Sequence, residues 1–411
     1  MTIAAPQPTT LDAKGLRRTL APLLERVAAD TVRREQEREL LHDDVRALLD
    51  LGFGRLRLPA EHGGPGLALS ETIDLLIDVA TADPNLAHLF RGHIGVVETL
   101  LLEGLDGPGD QHRRRWAERI AHGALIGNAQ SERSLRAEIT TRLRRDGDRL
   151  LLEGTKYYTT GSIYADWIQL SALDGDERVG VLVEVAAGVR SVDDWDGFGQ
   201  PLTGSGTTVF DGAVVDPLDV HRQDDVGTAR GWLLAAVWQL VLLAVLAGIA
   251  RRALQDTVAF VQPRERTFGL DQSPREDPLV QSVVGSLSAA ADAAARLVRS
   301  GAQELDAALA AVRAGEPEER LRDAMLAVFR LQQIVPPLVL DAAEQLFEVG
   351  GASAVSNRVA LDRHWRNART IASHNPIVQR RRALGQWELL GELPGWRPPG
   401  APAAAAEGAG R

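Results

Sequence analysis

The sequence predicts an α+β protein in which a small β domain lies between an N-terminal helical domain and a C-terminal helical bundle. Apolar residues recur at helical spacing towards both ends of the chain, whereas short alternating runs separated by turn residues occupy its middle. The 411 residues also exceed one ordinary hydrophobic core, so several domains are expected. We place the domains at 1–121, 122–224 and 225–393, followed by a flexible low-complexity tail over 394–411.

The N-terminal region is expected to consist of helices joined by short turns. Its first helical run carries leucines at helical spacing, namely Leu16, Leu20, Leu23 and Leu24. A second run ends at Gly52, as a glycine after a helix often does. A turn-rich Pro/Gly loop over 58–66 then leads to a predicted helix over 71–83, for which Ser70 is the expected N-cap.

The middle of the chain predicts a small barrel or sandwich. Between about 126 and 220, short runs of good strand formers alternate with turn signals. Asp174-Gly-Asp176 separates two such runs and therefore indicates a hairpin.

The C-terminal region predicts four helices, over about 227–262, 277–314, 318–349 and 357–373. Pro336 and Pro337 are expected to kink the third of them. The apolar stretch 231–250 is long enough to span a membrane, but Gln239 lies at its centre and amphipathic helices follow it. We interpret it as the buried central helix of a bundle, and we expect a cytoplasmic protein without a secretory signal.

Composition excludes several classes of function. The net charge of −10 disfavours a nucleic-acid partner, and the arginine clusters 113–115 and 380–382 are expected to be solvated helix faces. The absence of cysteine excludes disulfides and thiolate metal sites. No His-x-x-x-His pair occurs, and His88 and His93 are five residues apart, so no metal site is expected.

Three polar motifs in the β region carry candidate site residues. The first contains Asn128 and Ser131, the second ends in Thr160 and Gly161, and the third runs from Asp193 through a tryptophan and several glycines to a serine at 205. Asparagine and serine side chains, together with loop amides, supply the alternating donors and acceptors that a flavin ring edge needs. Each motif taken alone is also ordinary strand and turn construction.

The most informative motif is the arginine-rich segment 361–376, which ends in His374, Asn375 and Pro376. An asparagine cannot accept a proton at neutral pH, whereas an imidazole has an ordinary pKa near neutrality and suits a proton shuttle.

With these motifs, nearly the whole chain resembles the acyl-CoA dehydrogenase superfamily. There, the arginine-rich helix normally carries a glutamate that removes a proton from an acyl thioester, and counting from Arg366 places that glutamate at Asn375. The Trp195-to-Ser205 motif, the early helix with His93 and the Arg266 loop resemble one branch. It comprises reduced-flavin-dependent monooxygenases that oxidise sulfur, including the dibenzothiophene and dimethyl sulfone monooxygenases.

This resemblance implies a two-component enzyme. Reduced FMN would come from a separate NAD(P)H-dependent flavin reductase, react with dioxygen at C4a, and pass oxygen to a small organic substrate, at a thioether or thiophene sulfur. The chain lacks a Gly-x-Gly-x-x-Gly βαβ unit of its own, which fits that scheme. The resemblance also implies a homotetramer.

The resemblance assigns roles to particular residues. It implies catalytic roles for His374, Asn128 and Thr160, with His93 as a further candidate. It implies flavin contacts for Asn128, Ser131, Thr160, Gly161, Trp195, Ser205, Arg266 and His374.

The departures from the branch leave the substrate open. Thr160 replaces a serine of dibenzothiophene monooxygenase, Ile371 replaces a frequent second histidine, and Asn375 replaces an aspartate. One alternative is N-hydroxylation of an amine or amino sugar, which an acid placed to bind an ammonium group would favour. Others are a dehydrogenase with its base relocated to Glu344 or Glu348, and a non-catalytic flavin-binding scaffold.

Overall fold

The computed structural model describes residues 12–105, 111–133, 139–223, 227–266 and 272–394. The expected tail beyond Pro394, the N-terminal residues 1–11 and Phe268 in the Arg266 loop lie outside these described residues.

Helices precede and follow the strands, which confirms the predicted fold class. The described N-terminal helices are α1 (Ala13–Glu37), α2 (His42–Asp50), α3 (Leu69–Ala82), α4 (Pro84–His88), α5 (Arg91–Glu103) and α6 (Gln111–Ala121). The described C-terminal helices are α7 (Ala229–Val261), α8 (Pro278–Arg313), α9 (Glu319–Gln345), α10 (Asp362–Ser373) and α11 (Ile377–Leu390).

The ends of three helices show how local sequence sets their bounds. Gly52 follows α2 with a positive φ of 87°, as expected of a glycine after a helix. Asp277 caps α8 by accepting from the Leu279 amide at 2.9 Å. The Ser70 prediction was wrong, because α3 begins at Leu69. The side chain of Asp306 instead accepts from the amides of Leu69 and Ser70, at 2.8 and 2.9 Å, and so ties α3 to α8.

The strands form one sheet between the two helical parts. They are β1 (Ile126–Ala129), β2 (Arg142–Asp146), β3 (Arg149–Lys156), β4 (Trp167–Asp174), β5 (Glu177–Glu184), β6 (Val189–Val192), β7 (Thr207–Val215) and β8 (Val220–Arg222). Their order is β6-β7-β3-β2-β4-β5-β8, with β1 parallel to β4. The Asp174 hairpin is confirmed, since β4 and β5 pair in antiparallel register up to Asp174 and Glu177. Side chains of β2, β3, β4, β5 and β7 share one hydrophobic cluster, so the sheet curls around its own core.

The apolar stretch 231–250 lies inside α7, and α7 packs against α3, α5, α8, α9 and α10. Gln239 is buried with it, at 2% exposure. Two described helices, Ala229–Val261 and Glu319–Val349, are long and apolar enough to cross a membrane by composition alone, and the most apolar window of the first is 89% buried in the protein. The interpretation as a buried bundle helix is therefore confirmed.

Helix α9 runs through Pro336 and Pro337, and the kink expected there stays a prediction. One feature of the bundle differs from the sequence prediction. Helix α11 was not predicted. It follows Pro376, and Ala383 is its only fully buried residue, so its sequence lacks the apolar stripe that reveals a packed helix.

Candidate functional site

A chain of hydroxyl groups joins two of the predicted loops. The Thr160 Oγ1 lies 2.9 Å from the Ser205 Oγ, and the Ser205 Oγ lies 2.7 Å from the Thr203 Oγ1. The Thr203 hydroxyl in turn donates to the Gln200 carbonyl oxygen at 3.0 Å. All three hydroxyl residues are at least nine-tenths buried. The loop after β3 and the loop before β7 therefore meet in a rigid polar contact.

This hydroxyl chain has a direction. A carbonyl oxygen can only accept, so the single hydrogen of Thr203 is used on Gln200. Ser205 must then donate to Thr203, and Thr160 must donate to Ser205, if each short contact is to be a hydrogen bond. The Thr160 hydroxyl can therefore accept a further hydrogen bond but cannot donate one.

The turn that carries Thr160 depends on a glycine. Gly161 has φ of +80°, and a Cβ there would lie 2.7 Å from the Leu89 carbonyl oxygen. The Gly161 amide donates to the Thr203 carbonyl at 2.9 Å, and the Asn128 amide donates to the Thr160 carbonyl at 3.2 Å. The main chain thus holds Asn128, Thr160 and Gly161 together, as the sequence motifs suggested.

The side chain of Asn128 is oriented from behind. Gln130 Nε2 lies 3.3 Å from the Asn128 Oδ1 and 2.7 Å from the Gln169 Oε1, while Ser171 donates to the Gln130 Oε1 at 2.5 Å. The Asn128 Oδ1 therefore accepts a hydrogen bond from within the β domain. Its Nδ2 group makes no hydrogen bond in the described part of the chain and remains available as a donor.

Gln200 connects the hydroxyl chain to the helical parts. It has a positive φ of 56° and is 1% exposed. Its amide donates to the Asn367 Oδ1 on α10 at 2.6 Å, and its Oε1 lies 3.1 Å from the His88 Nδ1 on α4. The preceding Gly199 packs directly on α10, because a Cβ there would lie 2.2 Å from the Arg366 carbonyl oxygen. Sequence reasoning missed Gln200, although the motif around it was recognised.

His374 lies at the end of this network. Its ring centroid is 5.6 Å from that of His88, with the rings nearly perpendicular. His88 is buried, whereas His374 is exposed to solvent. Partial desolvation by the packed side chains, followed by Arg91 and His88, lowers the pKa of His374 below its ordinary value.

His88 is a second imidazole that the sequence prediction did not select. Burial, followed by repulsion from Arg91, lowers its pKa to about 3, so it is neutral at pH 7. Because the Gln200 Oε1 can only accept, His88 carries its hydrogen on Nδ1. Its buried Nε2 has no hydrogen-bond partner among the described residues and is an acceptor.

His93, the histidine that was selected, has a different environment. Its Nε2 lies 2.6 Å from the Gly54 carbonyl and its Nδ1 accepts from the Ile126 amide at 3.3 Å. Both ring nitrogens are used by the main chain, and the side chain is 1% exposed. We assign His93 a structural role that ties α5 to β1, in place of the predicted catalytic one.

The remaining predicted residues lie at the edges of the site. Trp195 is half-buried, its Nε1 donates to the Gly199 carbonyl at 3.0 Å, and its ring meets Tyr158 edge-on at 6.0 Å. Ser131 is exposed and pairs through its main chain with Tyr157. Arg266 is exposed after α7 and forms no hydrogen bond or ion pair with the other predicted residues in the described part of the structure.

Comparisons with known proteins show what this chain is similar to. Residues 240–379 match the family model of the acyl-CoA dehydrogenase C-terminal domain. The chain is 28% identical over 371 residues to a dibenzothiophene monooxygenase of Rhodococcus qingshengii, covering 86% of this chain and 87% of that protein. It is 29% identical over 358 residues to a probable FMNH2-dependent monooxygenase, SfnC, of Pseudomonas putida, covering 85% and 88%.

The structure of FMN-bound TdsC from Paenibacillus sp. A11-2 superposes with a TM-score of 0.82 at 25% identity, covering 92% of this chain and 98% of that one. Over residues 240–379, and in its overall fold, the chain is similar to the acyl-CoA dehydrogenase superfamily. An L-evernosamine nitrososynthase of Micromonospora is a further relative, 27% identical over 366 residues with 85% and 83% covered.

The carboxylate base that the resemblance would place at position 375 is absent. Asn375 occupies that position, and Glu344 and Glu348 are exposed on the end of the α9 segment. The residues that are present fit a reduced flavin instead. Thr160 offers lone pairs to a ring N–H, and Asn128 offers an N–H to an acceptor. The buried Nε2 atoms of His88 and Gln200, which have no partner in the described structure, leave polar atoms for a bound group.

Proposed function

We propose that this protein is the oxygenase component of a two-component flavin-dependent monooxygenase, which uses reduced FMN and dioxygen to oxygenate a small organic substrate at sulfur. One observation carries the proposal. Contacts run from Asn128 through Thr160, Ser205, Thr203 and Gln200 to His88 and His374, so that donors and acceptors from all three parts of the chain belong to one network.

FMN, when bound in its reduced form, supplies two electrons and activates dioxygen, so that one oxygen atom reaches the substrate sulfur and the other leaves as water. Thr160 would accept from the N–H at flavin N5, because its own hydrogen is used on Ser205. Asn128 would donate from Nδ2, since Gln130 holds its Oδ1. Both groups are buried and already oriented, so they need little reorganisation when FMN binds.

His374 would donate a hydrogen bond and transfer a proton as a neutral imidazole. Since His374 is exposed, solvent can replace the proton that it gives up. Trp195 and Ser205 would contact the flavin from the β side, with Ser131 and Gly161 contributing from the neighbouring turns. Arg266 would hold the flavin phosphate.

The charges around His374 favour sulfur over an amine substrate. N-hydroxylation of an amine or amino sugar calls for an acid that binds an ammonium group. Arg91 and Arg380 lie on this side of the network, whereas the acid that the network does contain, Glu35, is bonded to Arg366 at 3.0 Å and to Asn367 at 2.9 Å. A cationic substrate would be repelled here.

The proposed enzyme depends on other molecules. A separate NAD(P)H-dependent reductase would deliver reduced FMN, and the oxygenase would be a soluble cytoplasmic homotetramer in which the Arg266 loop lies near a neighbouring subunit.

Anaerobic mixing of the protein with chemically reduced FMN, followed by oxygenated buffer and a thioether or thiophene, tests the proposal. We expect sulfoxide in amounts close to the dioxygen consumed, and none with oxidised FMN. Formation of hydrogen peroxide equal to the dioxygen consumed, without product from dibenzothiophene or methanesulfinate, would overturn it. So would oxidation of an acyl-CoA without dioxygen, whereas oxygenation of an amino sugar alone would favour the alternative.

A further inference from the structure

Arg91 is a buried cation without a matching acid. It begins α5 and is 6% exposed. Its guanidinium lies 5.2 Å from the centre of the Trp238 ring, and its Nε donates to the Trp238 carbonyl at 3.3 Å. No carboxylate oxygen lies within 4.0 Å of its nitrogens in the described part of the chain. Since an unpaired buried charge is costly, a partner from outside the chain is expected.

The surroundings of Arg91 are positive rather than neutralising. Arg380 on α11 packs over the Phe329 ring at 4.4 Å, and burial together with the Arg380 charge lowers the pKa of Arg91 to about 9. The same Arg91 charge helps to depress the pKa values of His88 and His374. Arg91 therefore remains charged at pH 7, and its field reaches both imidazoles.

The side-chain amide of Gln200 is a second hydrogen-bond donor near the imidazoles. Gln200 is 1% exposed, its Oε1 is engaged by His88, and its buried Nε2 has no partner among the described residues. An amide Nε2 can only donate. Gln200 contacts His88 at the end of α4, and Arg91 begins α5 three residues after His88. A guanidinium and a free amide N–H that are both placed by the same imidazole are suited to an oxyanion and offer nothing to an ammonium group.

We propose that Arg91 and Gln200 form an oxyanion-binding site for the head group of the substrate, which is therefore a small organic anion such as a sulfinate. The guanidinium would hold two oxygens of the head group in its planar fork, while the Trp238 ring forms the wall beside it. The substrate class rests on the proposed oxygenase function, but anion binding itself does not.

The flavin phosphate is the other oxyanion that this chemistry would accept. In FMN the phosphate is separated from the ring by the ribityl chain, whereas Arg91 acts on the imidazoles that connect through Gln200 to Thr160, the residue proposed to contact the ring. We therefore assign Arg91 to the substrate. The two sources are distinguished by comparing FMN with riboflavin, which lacks the phosphate.

Calorimetric binding to the FMN-loaded protein tests the site with matched ligand pairs. Methanesulfinate and dimethyl sulfoxide have similar shapes, as do benzenesulfinate and methyl phenyl sulfoxide, and in each pair only the first is charged. We expect the anion of at least one pair to bind roughly tenfold to a hundredfold more tightly, the range for a hydrogen bond to a charged group. If, in the wild-type protein, both anions bind no more tightly than their neutral partners, the proposal is wrong.

Variants assign the preference to Arg91. Arg91→Met should abolish the anion preference, and Arg91→Lys should retain part of it, because a lysine keeps the charge but lacks the fork. Arg382→Met, which removes an exposed charge from the same helix as Arg380, should leave the preference unchanged. Circular dichroism reports whether the variants are folded, and if Arg91→Met does not fold, the lysine variant and the ligand pairs decide.

The outcomes separate this site from the oxygenase function. If the anions bind preferentially but no oxygenated product forms, the anion-binding site is supported and the proposed function is wrong. If neutral thioethers are oxygenated but anions do not bind preferentially, the proposed function is supported and the anion-binding site is wrong. If Arg91→Met weakens FMN binding but not riboflavin binding, the arginine serves the phosphate and the substrate assignment is wrong.

Discussion

The direction of the hydroxyl chain can be tested by a double-mutant cycle on Thr160 and Ser205. Ser205→Ala removes the acceptor for the Thr160 hydrogen and the donor to Thr203, at 2.9 and 2.7 Å. Thr160→Val removes the oxygen proposed to face flavin N5 while keeping the shape of the side chain. If Thr160 needs Ser205 in order to present its lone pairs, the two changes should be strongly non-additive.

The expected size follows from the contacts. A buried hydrogen bond contributes about 0.5–1.5 kcal/mol, so Ser205→Ala should cost about 1–3 kcal/mol in folding stability. Loss of one oriented contact to the reacting flavin, worth about 1.4 kcal/mol, should lower kcat roughly tenfold. The double variant should be close to Thr160→Val alone, with a coupling energy of about 1 kcal/mol.

The assay is product formed per dioxygen consumed, with hydrogen peroxide measured alongside and oxidised FMN affinity as a check on the site. Thr159→Val is the matched control, because Thr159 is equally buried and donates to the Gly206 carbonyl at 3.0 Å without contacting Ser205. It should lower stability but not the yield of product per dioxygen. Simple additivity of the Thr160 and Ser205 effects on that yield would refute the directed chain.

Three further predictions follow from charge and burial. Lys156→Met should destabilise the protein by about 3–5 kcal/mol in urea titration, because it leaves Glu132 without its 2.6 Å partner, whereas a loss below 1 kcal/mol would contradict this. The free energy of unfolding should fall as pH drops from 6.5 towards 4. In this range His88 (pKa about 3) and His364 (pKa about 4) stay neutral in the folded protein but become protonated in the unfolded chain, which stabilises the unfolded state. A pH-independent stability there would disprove it. Sulfinate affinity should decline at high pH, because burial and the Arg380 charge lower the pKa of Arg91 from its ordinary value, and calorimetry showing no decline would refute it.

The sequence was most informative where local patterns determine structure. Helix α7 could be predicted because its apolar run needs burial on all sides, and the hairpin at Asp174 because its turn chemistry is local. The motif residues Thr160 and Ser205 were selected as separate flavin contacts. Their mutual contact, and the direction of the hydrogens between them, depend on how two loops distant in the chain meet.

The rest of the site depends on tertiary packing. His88 and Gln200 are 112 positions apart, and nothing in either local sequence reveals that they touch. His88 and His93 share one short helical stretch, but the break between α4 and α5 after His88 turns them towards different neighbours, which no single helical period describes. The pKa of His374 is lowered by tertiary neighbours, Arg91 and His88 among them, which sequence alone could not place near it.

The packing of Gly199 on α10 constrains how this scaffold can be adapted. Any side chain at that position would push the loop with Trp195 and Gln200 away from the helix that leads to His374. Libraries that diversify this loop should therefore yield mostly inactive proteins. Changes at Arg91 or Trp238 leave the contact between Gly199 and α10 intact and offer the more productive route to new specificity.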